Sequence, residues 1–400
     1  MKVVLLGGDL NAYSVAVSFH AAYNVKSTVF CRYRCGITAI SSIVDVHVEP
    51  NLLDDLIGTA VLLQYARGFK ERPYLVACGD WYCAFLDRNR AALERAYRFF
   101  IPPSHIYRAV SDKATFYSLL EKTELPYPKT VVLERENLSI SEFLSVGAYP
   151  AVLKPSDSVL YYAHPFPDMK KVYFPKTPKQ ALDIAEKIFA SGYEGNLILQ
   201  ERIGTDAEPP TAKTLTLLSD SEGRVRRGVL GEVLIEETAA GARGNYAAIL
   251  TRPPDALTCR LISFLETVGY VGIANFDILS HRGKQYVLEL NPRQGRSCDY
   301  LRAAGISLSK FLVAAMNGES VETDLSSRAG IWHAVPMSVV LRRSKAENQN
   351  LLYSLKRSCR TFSPFAYEGE RITLRRCIYL PIHALRRTWA LKEERGKKHE

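Results

Sequence analysis

The sequence predicts an α/β domain followed by an α+β region, and three observations lead to this fold class. Strand–turn–helix units repeat over the first 110 residues, an order typical of a parallel sheet covered by helices. A capped helix at residue 111 begins a different pattern, with more strands and fewer helices. Two apolar strands at residues 272–280 and 285–290 close that region as a β-hairpin.

The first domain is predicted from its apolar strands and the turns that follow them. Residues 3–6 form the first strand, and Gly7, Gly8 and Asp9 lead into a helix over residues 12–20. Because the complete GxGxxG pattern is absent, the glycine pair does not predict a dinucleotide site. Further strands are predicted at residues 27–31 and 74–77, and a second helix at residues 87–99.

The second region is predicted to start with a helix that Ser111 or Asp112 caps. Phe116, Leu119 and Leu120 share one face of this helix and should point into a core. The remaining predicted strands are residues 130–133, 150–154, 196–201, 214–218 and 228–235, the helices are residues 178–191 and 255–268, and a polar loop covers residues 155–167.

The composition is that of a soluble protein with two or three domains. Hydrophobic residues make up 47% and charged residues 24% of the 400 positions, which suffices for sizeable cores. No apolar stretch reaches about 18 residues, so we predict no transmembrane helix and expect a cytoplasmic protein. The eight cysteines form no CxxC pair, and free thiols are expected rather than a zinc site.

The closing hairpin carries candidate metal ligands. Asn275 and Asp277 share one face of the first strand, and Glu289 and Asn291 share a face of the second. If these faces coincide, two carboxylates and an amide oxygen converge, and such oxygen ligands suit Mg²⁺. A solvated surface hairpin is the alternative, but a carboxylate within an apolar strand is costly unless it is paired.

Basic residues near these strands suit anionic ligands. Arg293 and Arg296 follow the hairpin and could hold phosphate or a substrate carboxylate in bidentate fashion. Lys154 ends an apolar strand before a loop, where it is a natural phosphate counter-ion. Lys113 lies in a first helical turn, where the helix dipole disfavours a cation. Either lysine alone is more often a surface residue.

A third motif follows the strand at residues 196–201. The strand ends in Gln200 and Glu201, and the chain turns at Gly204, which leaves backbone groups suited to reading an adenine edge. Asp206 could accept hydrogen bonds from ribose hydroxyls. An ordinary strand exit with a turn is the alternative interpretation.

These pieces, in this order, resemble the ATP-grasp superfamily. The shared order is an early lysine, a lysine before a loop, a strand that ends in Glu, and a closing D…ExN pattern across residues 111–312. The resemblance implies an N-terminal pre-ATP-grasp α/β domain followed by a two-lobed ATP-grasp fold. The implied domains are residues 1–110, a small lobe at 111–195, a large lobe with the metal site at 196–320, and a basic extension at 321–400.

Four segments look like the carboxylate–amine ligases typified by D-aspartate ligase: residues 78–82, 244–249, 275–278 and 289–297. In that family D-aspartate is activated on its β-carboxylate and joined to a lysine side chain of a peptidoglycan precursor. The segment at residues 237–244 departs from the family pattern, so the resemblance leaves the role of Arg243 open.

The resemblance implies a set of roles for the site residues. Arg293 and Arg243 are the candidate catalytic residues, and one or two Mg²⁺, or Mn²⁺, would join ATP. The implied ATP-binding residues are Lys113, Lys154, Gln200, Glu201, Ile203 and Asp206, and the implied metal ligands are Asp277, Glu289 and Asn291.

The C-terminal extension is basic and has an apolar helical stripe. Residues 342–400 contain 15 Lys/Arg and 6 Asp/Glu, so they carry +9 of the formal net charge of +10. Ile378, Ile382, Leu385 and Trp389 recur at helical spacing among basic residues, although Pro381 disfavours a straight helix. Residues 371–400 are therefore predicted either to lie peripherally on the inner membrane surface or to dock on the protein's own core with the charges facing water.

Three functional hypotheses remain open from the sequence. The first is a D-aspartate ligase-like enzyme of peptidoglycan cross-bridge formation, which takes an amino-acid substrate and an amine acceptor. The second is a peptide or natural-product ligase for another amino acid, and the third is a nucleotide-binding membrane scaffold without turnover. No nucleic-acid-binding motif accompanies the charge, and a homodimer is the default expectation for an oligomer.

Overall fold

The computed structural model describes residues 1–237 and 244–397, with side chains through residue 391. The chain divides into two compact units. Unit 1 comprises Met1–Pro102, Thr214–Asn275 and Arg293–Glu400, and unit 2 comprises Pro103–Lys213 and Phe276–Pro292.

A parallel sheet with strand order β3-β2-β1-β4 organises the first segment of unit 1. The predicted strands at residues 3–6, 27–31 and 74–77 are confirmed. The chain winds from β1 to β3 on one side of the sheet and places β4 on the other side of β1. The elements are β1 Val3–Leu6, α1 Leu10–Tyr23, β2 Ser27–Cys31, α2 Gly36–Ala39, β3 Val44–Val48, α3 Asp55–Ala66, β4 Tyr74–Ala77, α4 Asp80–Arg88 and α5 Arg90–Leu93.

Turns that contain a glycine with positive φ follow β1 and β4, which are neighbours in this sheet. Gly7 has φ 125°, and a Cβ there would lie 3.1 Å from the carbonyl oxygen of Cys78. Gly79 has φ 154°, so glycine suits both turns. Asp9 then caps α1 by accepting hydrogen bonds from the next backbone amides. After each of these turns, at the carboxyl end of its strand, an aspartate lies at the start of a helix: Asp9 at α1 and Asp80 at α4.

The predicted helix at residues 87–99 is wrong in its position. The helix α4 starts earlier, at Asp80, directly after the Gly79 turn. It ends at Asn89, whose side-chain amide donates to the carbonyl of Phe85 at 2.9 Å and so competes with helix continuation. The short helix α5 follows, and the remaining predicted residues form no helix.

Unit 2 contains a three-stranded antiparallel sheet in the order β5-β7-β6. Its core is a cluster of aliphatic and aromatic side chains that includes Phe143, Tyr161 and Tyr193. Asp112 caps α7 as predicted, and Phe116 and Leu120 are buried. The elements are α6 Ser104–Ser111, α7 Lys113–Glu121, β5 Thr130–Leu133, α8 Ile140–Ser145, β6 Ala151–Pro155, α9 Ser158–Tyr162, α10 Pro178–Ala190 and β7 Leu197–Glu201.

The segment predicted as a polar loop at residues 155–167 contains the helix α9. Asp157 caps this helix by accepting from the amide of Leu160 at 2.9 Å. Tyr161 is fully buried and packs edge-on against Tyr193. Tertiary packing of tyrosines therefore orders a segment whose composition predicts a loop.

The second sheet of unit 1 is mixed and has the order β11-β8-β9-β10-β14-β15. In it, β10 is antiparallel to β9, and β13 is parallel to β9. The strand β11 starts in unit 1, and its later residues pair with β12 in unit 2. Arg282 and Gly283, both with positive φ, form the turn between β11 and β12. The elements of this part are β8 Thr211–Ser219, β9 Val225–Glu236, β10 Tyr246–Arg252, α11 Ala256–Thr267, β11 Gly272–His281 and β12 Lys284–Asn291.

The last segment of unit 1 ends in a long helix. Its strands extend the second sheet, with β14 antiparallel to β10 and β15 parallel to β14. Short 3₁₀ turns occur in this segment at Ala346–Asn348 and Pro364–Ala366, and another occurs in unit 2 at Arg135–Asn137. The elements are α12 Tyr300–Ala303, α13 Leu308–Asn317, β13 Asp324–Leu325, β14 Ile331–His333, α14 Met337–Arg343, α15 Gln349–Arg357, β15 Thr361–Phe362 and α16 Leu374–Lys397.

The helix α16 continues through Pro381 and turns its apolar stripe outward. Arg376 is buried against Tyr13, and Leu391 packs into a small core with β10 and α14. The helix docks on unit 1, and the predicted orientation with charges facing water holds only in part. Arg376 and Arg387 point inward to ion pairs, whereas Arg375 and Arg386 are exposed. The stripe residues are exposed: Ile378 54%, Ile382 45%, Leu385 69% and Trp389 63%.

Two further properties of the described residues concern membrane-spanning helices and cysteines. Within the described residues, no helix is long and apolar enough to cross a membrane. All eight cysteines are free thiols, as predicted, and four of them are buried.

Candidate active site

A buried ion pair joins the start of α7 to the closing hairpin in unit 2. Lys113 is the first residue of α7, and its Nζ lies 3.3 Å from Oε2 of Glu289. Their side chains are only 12% and 20% exposed. The helix dipole disfavours a cation at this position, and the nearby carboxylate offsets that cost.

The predicted faces of the hairpin coincide. The side-chain amide of Asn291 donates to Oδ2 of Asp277 at 3.2 Å, and Asp277 also interacts with Glu289. Two carboxylates and an amide therefore lie together on β11 and β12. Among the described residues no group of three His, Cys, Asp or Glu side chains is placed to hold a metal, so the predicted site depends on the Asn291 oxygen and on ligand oxygens.

Lys154 lies at the end of β6 and is 9% exposed. Burial lowers the pKa of Lys154 to about 8, with Lys113 and Lys171 adding repulsion and Glu289 opposing the shift. Its Nζ contacts the Tyr117 hydroxyl at 3.5 Å. The protonated form of Lys154 is therefore stabilised by negative charge nearby.

The charge of Glu289 balances this group of lysines. Burial alone would raise the pKa of its carboxyl group, but the positive charges of Lys113, Lys171 and Lys154 hold that pKa well below its usual range. Glu289 is therefore ionised at neutral pH. Lys113, Lys154, Asp277, Glu289 and Asn291 form one charged cluster, which we call the lysine–carboxylate cluster.

The predicted adenine-binding residues lie on β7 and in the turn that follows it. The amide of Gln200 donates to Oγ1 of Thr130 at 2.7 Å and is buried. Glu201 accepts from the backbone amide of Lys129 at 2.9 Å. Ile203 is half-buried, and Asp206 is exposed in an ion pair with Arg202. Glu201 therefore lies at the end of β7, Ile203 lies in the turn that follows, and Asp206 lies at the surface.

Two residues near the lysine–carboxylate cluster were not predicted from the sequence as site residues. Tyr117 lies between Lys154 and the backbone of β12, where its hydroxyl donates to the carbonyl of Leu288. Lys171 lies in the segment after α9, and its charge acts on both Lys154 and Glu289. Tyr117 follows Phe116 on a face predicted only as core, and no local pattern distinguishes Lys171 from other surface lysines.

A second group of charged residues lies in unit 1, at the carboxyl ends of β1 and β4. Arg293 donates to both oxygens of Asp80, at 2.6 and 2.9 Å. The Nε of Arg296 lies 3.7 Å from Oδ2 of Asp9. The side chain of Gln294 donates to the carbonyl of Ala77 at 2.9 Å and so fixes the arginine-bearing segment to β4. We call Asp9, Asp80, Arg293 and Arg296 the arginine–aspartate group.

The structure does not describe one of the predicted residues, and it places another in a different set of contacts. Arg243 lies outside the described residues. Asn275, which shares a face with Asp277 by alternation, accepts instead from the hydroxyls of Thr214 and Thr216 at 3.2 and 2.8 Å. Its amide is buried and serves the sheet of unit 1.

Comparisons with known proteins identify relatives of the chain, although no protein-family model matches it. D-aspartate ligase from Enterococcus faecium (strain Aus0004) is 29% identical over 387 residues, which cover 92% of this chain and 90% of that protein.

Solved structures show the same fold at low sequence identity. The biotin carboxylase domain of 2-oxoglutarate carboxylase from Hydrogenobacter thermophilus was solved with MgADP, ADP and bicarbonate. It has a TM-score of 0.62 at 15% identity and covers 82% of this chain and 73% of that chain. An L-amino acid ligase from Bacillus licheniformis has a TM-score of 0.53 at 16% identity, over 79% and 74% of the two chains.

The predicted fold class and the predicted resemblance are both confirmed by these comparisons. The predicted enzyme class agrees as well, because the relative that matches over most of its length is a ligase. The chain is therefore similar to D-aspartate ligase over most of its length, and it shares the fold of the biotin carboxylase domain and of the L-amino acid ligase.

Proposed function

We propose that this protein is an ATP- and Mg²⁺-dependent ligase that joins an amino-acid carboxylate to an amine through an acyl phosphate. The lysine–carboxylate cluster of unit 2 carries the proposal. Two ammonium groups suit the phosphates of a nucleotide, and carboxylate and amide oxygens suit Mg²⁺.

The side chains of the cluster fit such a ligand. Lys154 is a buried cation whose pKa is depressed to about 8, so a polyphosphate would supply the negative charge that stabilises its protonated form. Asp277, Glu289 and Asn291 would hold one or two Mg²⁺, and Mn²⁺ accepts the same ligands. When bound, the ion would neutralise charge on the phosphate oxygens.

Nucleotide recognition is assigned to the end of β7. Glu201 and Ile203 would hold the adenine, and Asp206 would accept hydrogen bonds from the ribose after release from Arg202. Gln200, whose side chain bonds to Thr130, would support the strand behind them. Lys113 and Lys154 would bind the α- and β-phosphates.

The arginine–aspartate group of unit 1 supports an amino-acid site. In a parallel sheet, ligands bind outside the carboxyl ends of the strands where the winding direction reverses. Here that place lies between β1 and β4, whose turns carry Asp9 and Asp80. Guanidinium groups suit the carboxylates of an amino acid and aspartates suit its ammonium group. Arg293 and Arg296 would orient the carboxylate that reacts.

The reaction conserves atoms as follows. A carboxylate oxygen of the acid attacks the γ-phosphorus of ATP, the bond from that phosphorus to the β-γ bridging oxygen breaks, and ADP leaves. The amine nitrogen then attacks the acyl carbon, the carbon–oxygen bond to phosphate breaks, and the amine loses a proton. Phosphate departs with one oxygen from the original carboxylate. The protein contributes positioning and charge neutralisation rather than a covalent step.

D-aspartate is the proposed acid, and the proposed role is peptidoglycan cross-bridge formation. The similarity to D-aspartate ligase over 92% of the chain supports this choice. A peptide or natural-product ligase with another amino acid shares the chemistry and is the alternative.

The test measures phosphate release from MgATP with a panel of D- and L-amino acids, with and without an acceptor that carries a free lysine amine. Release that requires D-aspartate and rises with the acceptor is the expected result. Stimulation by another acid would replace the substrate, and ATP binding without stimulation by any acid would refute the ligase function.

We further propose that the outward face of α16 binds an anionic membrane surface. The face combines four exposed apolar side chains with the exposed Arg375 and Arg386, and residues 342–400 carry a net charge of +9. Apolar insertion and attraction of each basic residue, about 1 kcal/mol near an anionic surface, act together in such helices.

Vesicle sedimentation tests this face. The full chain should sediment with phosphatidylglycerol vesicles and not with phosphatidylcholine vesicles, and Leu385→Ser with Trp389→Ser should abolish sedimentation. The matched control is Leu56→Ser, which removes another exposed leucine of unit 1. Equal sedimentation of the double variant, or self-association through this face without vesicle binding, would refute membrane contact.

A further inference from the structure

The inward face of α16 carries an arginine that pairs with a buried glutamate of unit 1. Arg387 is 13% exposed and forms an ion pair with Glu237, which is 11% exposed. Arg387 also donates to the carbonyl of Ala334 at 3.1 Å and lies over the ring of Phe365 at 5.8 Å. These contacts hold the guanidinium in one place.

Glu237 is shared between two arginines. One of its carboxylate oxygens bonds to Arg387, and the other accepts from Nη1 of Arg296 at 3.2 Å. On its far side, Arg296 approaches Asp9. Charges therefore alternate along a line from α16 to the turn after β1: Arg387, Glu237, Arg296 and Asp9.

Because Glu237 bonds to both arginines, Arg387 influences how Arg296 pairs with Glu237. A buried carboxylate needs compensation by positive charge and hydrogen bonds. With Arg387 present, Glu237 is satisfied on one oxygen and engages Arg296 through a single nitrogen. Without Arg387, Arg296 would be the remaining partner of Glu237 among the described cations, and a bidentate pair would be favoured. That pair would draw the guanidinium away from Asp9 and occupy its donors.

We propose that Arg387 is a positioning residue that, through Glu237, holds Arg296 available for the carboxylate of the amino-acid substrate. The proposal rests on the proposed function, because it assumes that the arginine–aspartate group binds the acid. It adds to that function a dependence of acid binding on the C-terminal helix. Neither ATP binding in unit 2 nor the chemical step requires Arg387.

Steady-state kinetics of full-length variants test this role, with MgATP, D-aspartate and a lysine-bearing acceptor. Arg387→Ala should raise the KM for D-aspartate about tenfold, with the KM for ATP and the kcat within threefold of wild type. Arg387→Lys should restore most of the affinity, because it keeps the charge opposite Glu237. Arg95→Ala is the matched control, since it removes an exposed arginine elsewhere in unit 1, and it should leave all three constants unchanged.

A double variant distinguishes positioning from a general structural role. If Arg387 acts through Glu237, then Glu237→Gln with Arg387→Ala should have the KM for D-aspartate of Glu237→Gln alone. An unchanged KM in Arg387→Ala would overturn the proposal, as would a further rise in the double variant. Equal losses in kcat and in ATP affinity together with a lower melting temperature would also overturn it in favour of a structural role.

Failure of the proposed function has a different outcome. Wild-type protein that releases no phosphate with any acid would overturn the ligase function and, with it, the role of Arg387. Wild-type turnover with D-aspartate alongside an unaffected Arg387→Ala would overturn the role of Arg387 alone.

Discussion

Replacement of Glu289 by Gln tests the lysine–carboxylate cluster most sharply. The change keeps the size of the side chain and removes one negative charge, 3.3 Å from Lys113. Unit charges at this separation interact by roughly 4–5 kcal/mol at an effective dielectric constant of about 20. Removal of one member of a buried pair costs about 3–5 kcal/mol. Because these side chains are 12% and 20% exposed, we expect the unfolding free energy to fall by about 2 kcal/mol.

The effect of Glu289→Gln on turnover should be much larger than the effect on stability. The site depends on charge neutralisation and positioning, and loss of one such group typically costs about 10²–10³ in kcat. Glu289 would also hold the metal ion, so we expect a loss of at least about 10³-fold. The assay is phosphate release at saturating MgATP, D-aspartate and acceptor, with thermal unfolding measured on the same sample.

A matched control separates the site from a general loss of charge. Asp183→Asn removes a carboxylate 2.8 Å from Lys179 in the same unit, where the side chains are 54% and 72% exposed. Because water screens this exposed pair, it should contribute little to stability and nothing to turnover. A folded Glu289→Gln protein within threefold of wild-type kcat would refute the reasoning.

Three further predictions concern other parts of the chain. Lys154→Met should raise the KM for ATP at least about tenfold, measured by initial rates, because the variant lacks a cation for phosphate; an unchanged KM would exclude this role. Arg293→Lys should raise the KM for D-aspartate by about 10–100-fold, since lysine cannot reproduce the bidentate geometry seen with Asp80, and unchanged kinetics would contradict the acid site. Burial and nearby arginines lower the pKa of His383 from 6.5 to about 4, so the unfolded chain binds a proton in this range that the folded chain does not, and stability should fall as the pH falls from about 6.5 to 4. After a discount for partial exposure this amounts to about 1 kcal/mol, and denaturant unfolding of His383→Gln should show a weaker pH dependence, whereas an identical one would disprove the assignment.

Local patterns predict much of this fold because they determine most of its strands and caps. Alternation in β11 and β12 correctly predicts that Asp277, Glu289 and Asn291 share a face. The Asp112 cap predicts where α7 starts and therefore where Lys113 lies. These features depend on neighbours within a few residues or across one tight hairpin.

Contacts distant in sequence could not be predicted in the same way. Arg293 meets Asp80 across 213 residues, and Arg387 meets Glu237 across 150 residues. No periodicity links such positions, so the arginine–aspartate group appears only in the structure. The orientation of α16 departs from the usual amphipathic pattern partly for the same reason, since the distant Glu237 holds Arg387 inward.

The central claim is that the acid reacts through an acyl phosphate, and isotope transfer tests it most directly. D-aspartate labelled with ¹⁸O in its β-carboxylate is incubated with enzyme, MgATP and a lysine-bearing acceptor, and the phosphate released is analysed by mass spectrometry. A reaction through an acyl phosphate delivers one carboxylate oxygen to phosphate in each turnover, so fully labelled acid should give phosphate with one ¹⁸O atom. Product formation with unlabelled phosphate would contradict it, because ATP would then be cleaved without phosphorylation of the carboxylate.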